Sequence, residues 1–166
     1  METIELNGLQ MQTVGSLPEA GTKAPEFTLT AKDLSDIKLS DLKGKRVVLN
    51  IFPSLDTDVC AASVRRFNEK AVSYPDTVVL CVSADLPFAA ARFCTVNGID
   101  NVKTASTFRS DFGKAYGCEI ADGPMRGLMA RCLVVIDAEG NVAATSLNRQ
   151  ITEEPDYAFV EKILKV

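Results

Sequence analysis

Two apolar, largely β-branched runs constrain this chain more than any other feature: Arg46–Phe52 (RVVLNIF) and Thr77–Ala84 (TVVLCVSA). Each is nearly unbroken by polar residues, as a strand covered on both faces must be. Between them, Val59, Ala62, Phe67, Ala71 and Val72 recur at helical spacings, which predicts a helix over Val59–Ser73. Strand, helix and strand in this order form a βαβ unit, whose crossover is right-handed. The chain is therefore an α/β protein.

The flanking segments extend that unit. Thr3–Leu6 and Leu9–Thr13 alternate around Asn7-Gly8, a pair that accepts the positive φ angles of a tight hairpin turn. Leu17–Pro25 is a loop leading to a short strand at Phe27–Thr30. Ser40–Gly44 predicts one helical turn, with Ser40 as cap and Gly44 as stop. Pro87–Asn97 is a second helix stopped by Gly98, Lys103–Ser106 a strand, and Arg109–Tyr116 a third helix. Ala130–Asp137 and Val142–Leu147 flank Glu139-Gly140-Asn141 as an antiparallel hairpin. Glu153–Leu164 closes the chain as an amphipathic helix with acids in its first turn, where the helix dipole favours them. No repeat or linker divides the sequence, so residues 1–166 form one domain. The element order predicts a thioredoxin-like fold, a central mixed β-sheet flanked by helices, with an added N-terminal β-hairpin.

Composition removes whole classes of function. A chain of 166 residues with 46% hydrophobic side chains buries a sizeable core without disulfides or a structural metal. Eighteen basic residues against 22 acidic ones give a net charge of −4, which offers no footprint for nucleic acid. No apolar run approaches the roughly 20 residues of a membrane helix. METIELNGLQ lacks the basic and apolar regions of a secretory signal, so a reducing, cytoplasmic location is expected. The sequence contains no histidine, which excludes Ser–His and Cys–His pairs and histidine metal sites.

Five cysteines remain, at 60, 81, 94, 118 and 132, without a CxxC pair or zinc-ligand spacing. Cys60 falls in the first turn of the helix that follows a buried strand, where free N–H groups and the helix dipole stabilise a thiolate. Thr57, three residues upstream, is placed to direct its hydroxyl toward the same spot, and Pro53 makes the connecting turn rigid. The competing account of this segment is a small buried cysteine with Thr57 as a helix cap. Arg131 opens an otherwise apolar strand and needs a partner if buried; the alternative is a surface arginine at a strand end. A guanidinium can hold a thiolate and also hydrogen-bond a bound oxygen. Arg126, in a Gly/Pro loop, is expected to be solvated. Cys81, mid-strand, reads as inert core, and so does Cys132, which alternation points away from Arg131. Cys118 follows Gly117 in a loop, a position open to solvent.

Pro53-x-x-x-Thr57-x-x-Cys60 with a distant Arg131 resembles the active-site pattern of the peroxiredoxins. The wider sequence is similar to their bacterial thiol peroxidase subgroup, of the atypical two-cysteine type. Lys32–Asp36, Asn50–Thr57, Cys60–Arg65, Ser83–Phe88, Arg92–Cys94, Ser106–Arg109 and Ala121–Pro124 carry that similarity in order along nearly the whole chain. The resemblance implies that Cys60 is the peroxidatic cysteine and Cys94 the resolving cysteine of the same chain. It assigns Thr57 and Arg131 to binding and polarising the peroxide, and Pro53 to shielding the site. It also implies an antioxidant homodimer that reduces hydrogen peroxide and alkyl hydroperoxides and is recycled by thioredoxin, with no metal or other cofactor. On this reading Cys94 lies on the helix after that of Cys60. Packed helices stand at least ~8 Å apart, whereas disulfide-bridged Cα atoms lie within about 7 Å. Local unwinding is therefore expected to accompany disulfide formation. Rival readings are a disulfide reductase, disfavoured by a threonine three residues before Cys60, a non-catalytic peroxide sensor, and a structural module.

Overall fold

A computed structural model describes residues 1–166. The two apolar runs form β5 (Arg46–Ile51) and β6 (Thr77–Ser83), paired in parallel with Leu49 opposite Leu80. Their crossover is α1 (Asp58–Lys70), followed by one 3-10 turn over Ala71–Ser73. α2 (Pro87–Asn97) then leads to β7 (Lys103–Ser106), which pairs in parallel with β6. On the other side β8 (Cys132–Ile136) runs antiparallel to β5, and β9 (Val142–Leu147) antiparallel to β8. β3 (Thr28–Ala31) adds antiparallel to β7, and β4 (Asp36–Lys38) forms the far edge. The sheet order is thus β4-β3-β7-β6-β5-β8-β9. β1 (Thr3–Leu6) and β2 (Leu9–Gln12) form the separate hairpin, and both Asn7 and Gly8 take positive φ, as its two-residue turn demands.

Alternation along the central strands divides the core in two. Val48, Val79, Cys81, Leu133 and Val135 face one layer, which holds Val64 and Phe67 of α1, Ala90 and Cys94 of α2, and Val160 and Leu164 of α4 (Tyr157–Leu164). Leu49, Ile51, Leu80, Val82, Cys132 and Val134 face the other, with Phe27, Phe112 and Tyr116. A third, smaller cluster of Ile4, Met11, Ile120, Ala130 and Ile151 packs under the hairpin. Burial of this apolar area, at roughly 25 cal/mol per Å², supplies the main drive to fold.

Several boundaries differ from expectation for local reasons. β4 was not foreseen; it is a three-residue edge strand in a polar stretch. The 3-10 turn at Leu39–Leu42 begins before Ser40, whose side chain does not cap it. The third helix shrinks to α3 (Phe112–Ala115), because Ser110 N bonds the Thr107 carbonyl in a turn and Arg109 Nε reaches Thr30 Oγ1 at 3.1 Å. The terminal helix starts at Tyr157 rather than Glu153. Pro155 disfavours helical backbone at Glu154, Asn148 Nδ2 holds the carbonyls of both Glu153 and Glu154, and Asp156 caps Phe159 N at 3.1 Å.

Candidate active site

The segment Phe52–Thr57 leaves the C-terminal end of β5, the usual location of sites in open α/β sheets, and enters α1. The first helical bond of α1 runs from Ala61 N to the Thr57 carbonyl at 2.9 Å. The N–H groups of Asp58, Val59 and Cys60 therefore precede the helical ladder and carry the positive end of its dipole. Cys60 sits among them with its side chain fully buried.

Arg131 reaches this thiol from across the sheet. It lies one residue before β8, is 1% exposed, and is the largest of the fully buried side chains. Its Nη2 donates to Cys60 Sγ at 3.2 Å and its Nε to the Ile151 carbonyl at 2.8 Å. Nη1 is buried and has no partner within the protein. The surface-arginine alternative is excluded, and the partner that burial demanded is the Cys60 thiol.

Arg131, Pro53 and Thr57 line one open cavity of about 330 Å³ together with Leu6 of the hairpin, Met125 and Ile151. Val59 adds to its apolar wall, Asp58 and Thr152 complete the lining, and Cys60 itself lies just behind it, outside the lining. Pro53 is buried. Thr57 occupies the cap position of α1, yet its hydroxyl donates to the Ser54 carbonyl at 3.1 Å and makes no cap bond. The expected orientation of that hydroxyl toward Cys60 is thus not the one adopted. Leu6, Met125 and Ile151 were not singled out from sequence, because nothing local distinguishes a wall residue from any other apolar side chain.

Cys94 is not brought to Cys60. It is buried in α2, with its thiol 3.9 Å from Thr104 Oγ1, and borders a different cavity of about 370 Å³ with Asp33, Val102 and Lys103. All five cysteines are free thiols. Cys81 is core, as expected, and burial pushes its thiol up to about 12 against the opposing hydrogen bond from Asn50. Asn50 Nδ2 also donates to Ser63 Oγ at 3.1 Å, and Ser63 Oγ donates to the Cys60 carbonyl at 2.7 Å. A polar residue inside an apolar strand was the available signal for this network, since a buried amide needs partners.

Cys118 corrects an expectation: it is 1% exposed rather than open to solvent. Gly117 has φ +65°, and a Cβ there would stand 2.2 Å from the Ser16 carbonyl oxygen, so the loop packs directly on the N-terminal segment. The Cys118 carbonyl accepts from Ala130 N at 2.8 Å. Cys132 is core, as expected; the neighbouring Cys118 thiol, and then burial, hold its thiol well above the ordinary value. Both lie in the layer on the opposite face of the sheet from Cys60, Cys81 and Cys94. Arg126 is exposed, as expected.

The mixed sheet with helices against both faces and a buried thiol beside β5 defines a protein of the thioredoxin-like class. The redoxin family model matches residues 19–160. A thiol peroxidase of Mycobacterium tuberculosis is 56% identical over 157 residues, covering 95% of this chain and 94% of that protein. One from Corynebacterium glutamicum is 47% identical, covering 95% of each. The crystal structure of a peroxiredoxin-like protein from Aquifex aeolicus superposes with a TM-score of 0.94 at 39% identity, covering 99% of this chain and 96% of that one. The chain belongs to the redoxin family, in its bacterial thiol peroxidase branch.

Proposed function

We propose that this chain is a thiol-specific peroxidase that reduces hydroperoxides at Cys60, is resolved by Cys94 and is recycled by thioredoxin. One observation carries the proposal: the guanidinium of Arg131 is buried against the Cys60 thiol, and its Nη1 has no partner in the protein. An unpaired buried donor is costly, and a bound peroxide oxygen gives it an acceptor. The family membership described above supports the same reading.

The chemistry follows from these positions. The Cys60 thiolate attacks one peroxide oxygen, the O–O bond breaks, and the other oxygen leaves as alkoxide or hydroxide and is protonated. Cys60 becomes a sulfenic acid. Arg131 Nη1 and the N–H groups at the start of α1 meet the charge developing on the oxygens, as donors of an oxyanion hole do. Thr57 Oγ1, while donating to Ser54, keeps lone pairs that accept the O–H of the hydroperoxide. Pro53 shields the buried side of the site, and the apolar side chains of the cavity suit an alkyl chain. No general base is required if Cys60 reacts as the thiolate, so the absence of histidine is no obstacle.

Cys94 then attacks the sulfenic sulfur, releasing water and forming the Cys60–Cys94 disulfide. Both thiols start buried in the same apolar layer, each held in its own helix, so this step requires the start of α1, or α2 near Cys94, to unwind locally. A dithiol reductant of the thioredoxin type returns both cysteines to thiols. We place the protein in the cytoplasm as a homodimer of single domains spanning residues 1–166; no helix is long and apolar enough to cross a membrane.

The test is peroxide consumption coupled to thioredoxin, thioredoxin reductase and NADPH. Wild-type protein should turn over and Cys60→Ser should not. NADPH oxidation equal in the two proteins would overturn the proposal.

A further inference from the structure

We propose that Asp85 is a positioning residue that clamps the Pro53–Thr57 loop in its peroxide-reactive shape and must loosen before the disulfide can form; this rests on the peroxidase reading above. Asp85 lies in the turn between β6 and α2, outside the cavity that Arg131 lines. Its Oδ1 accepts from Ser54 Oγ at 2.8 Å, and its Oδ2 accepts from Leu55 N at 2.7 Å and Ser83 Oγ at 2.7 Å. Hydrogen bonds to a carboxylate are about twice as strong as neutral ones, and three converge on this half-buried group.

Placement makes the cluster more than a local turn. Ser54 and Leu55 belong to the loop that carries Pro53 and Thr57 and delivers Cys60 to the start of α1. Asp85 stands two residues before α2, which carries Cys94. Its own carbonyl accepts from Ser106 Oγ at the end of β7, so the turn is tied to the sheet as well. One carboxylate thus connects the segments bearing the two cysteines without lining the cavity assigned to the peroxide. Ser54 Oγ also accepts from Asp56 N at 3.1 Å, and the Ser54 carbonyl accepts the Thr57 hydroxyl. The clamp therefore extends through Ser54 to Thr57.

A clamp of this kind acts oppositely on the two chemical steps. Attack on peroxide needs the loop held, because Thr57 and the first N–H groups of α1 must face the same oxygen as Arg131. Resolution needs Cys60 to leave its buried seat. Weakening the clamp should slow the first step and spare or speed the second, a split that simple loss of stability does not produce in protein that remains folded.

Asp85→Ala, Asp85→Asn and Ser54→Ala should be compared with wild type by rapid-mixing measurement of Cys60 oxidation and of the later disulfide step. Asp85→Ala should slow attack at least tenfold while the disulfide step stays at or above the wild-type rate. Asp85→Asn keeps an oxygen for Leu55 N and Ser83 and can donate to Ser54, so it should restore most of the attack rate. Hydrogen exchange of reduced protein gives a readout independent of activity: the amides of Leu55, Asp56 and Thr57 should exchange at least tenfold faster in Asp85→Ala. If that variant fails to fold, Ser54→Ala, which removes the Oδ1 arm and the acceptor of Asp56 N but leaves the Leu55 and Ser83 bonds to Asp85, must show the same split at smaller size. Unchanged loop exchange, or attack and resolution slowed equally in the folded variants, overturns the clamp. Wild-type protein that consumes no peroxide while Asp85 still controls loop exchange would instead overturn the peroxidase reading alone.

Discussion

Arg131 Nη2 donates to Cys60 Sγ at 3.2 Å although the two residues are 71 positions apart in the chain. The contact crosses from the end of one antiparallel strand to the start of a crossover helix. It is held from behind by the Ile151 carbonyl, which fixes Arg131 Nε at 2.8 Å. A guanidinium anchored in this way presents its remaining edge in a fixed direction, which a flexible lysine does not.

Arg131→Met should lower the rate of peroxide attack by at least about 100-fold, the scale of losing one oxyanion-hole donor. Arg131→Lys, which keeps the charge but not the fork, should also fall well below wild type. Stopped-flow oxidation under single-turnover conditions measures both. Attack by Arg131→Met within tenfold of wild type would show that the guanidinium does not serve the reaction.

Peroxide should convert the chain to an intramolecular Cys60–Cys94 disulfide, with Cys118 and Cys132 recovered as free thiols. The sheet separates these two from Cys60 and Cys94, and both are no more than 1% exposed. Peptide mapping after alkylation of the unfolded, oxidised protein reads the pairing. Dominant recovery of Cys60 joined to Cys118 or Cys132 would contradict that separation.

Cys94→Ser should still reduce one equivalent of peroxide per chain, because attack needs only Cys60 and its donors. Thioredoxin-dependent turnover should collapse, since no disulfide forms for the reductant to attack. The stranded sulfenic acid should oxidise further, seen as a gain of two oxygens on the Cys60 peptide. Full turnover by this variant would remove Cys94 from the mechanism.

Stability should fall as pH rises above about 9, partly through Cys81. Burial raises its thiol from 9.0 to about 12 in the folded chain, so the native state holds a proton that the unfolded state releases. The contribution is complete below 9, diminishes between 9 and 12, and is gone above the folded value. Urea unfolding of Cys81→Ala should show a shallower decline than wild type between pH 8 and 10. Buried Tyr74 and Tyr116 and half-buried Tyr157, also raised by burial, add the same sign at higher pH. Parallel declines in the two proteins would exclude Cys81 as a source.

The sequence by itself determined β5, α1, β6, α2, β7 and the β8–β9 hairpin. Their apolar periods and turn residues are local properties, and local sterics enforce them. It also determined which residue types were available for chemistry: with no histidine, reactivity had to rest on thiols, and only Cys60 fell at a helix start after a buried strand. Short elements escaped it. β4 exists because β3 offers it an edge to pair with, the shorter α3 reflects Arg109 bonding to distant Thr30, and the shorter α4 reflects Asn148 holding the Glu153 and Glu154 carbonyls.

Tertiary structure alone decided which of these groups meet. Whether Arg131 was a surface cation or a buried partner depended on the stacking of β8 beside β5, which no spacing encodes. The fate of Cys118 depended on a glycine packed against Ser16, and its isolation from Cys60 on the two faces of one sheet. Two of the three donors at Asp85, Ser54 and Leu55, come from the loop after β5, which meets the Asp85 turn only when β5 and β6 pair in register. Periodicity is written along the chain, whereas contacts between segments are fixed by packing, where burial of apolar area and satisfaction of buried polar groups must be met together.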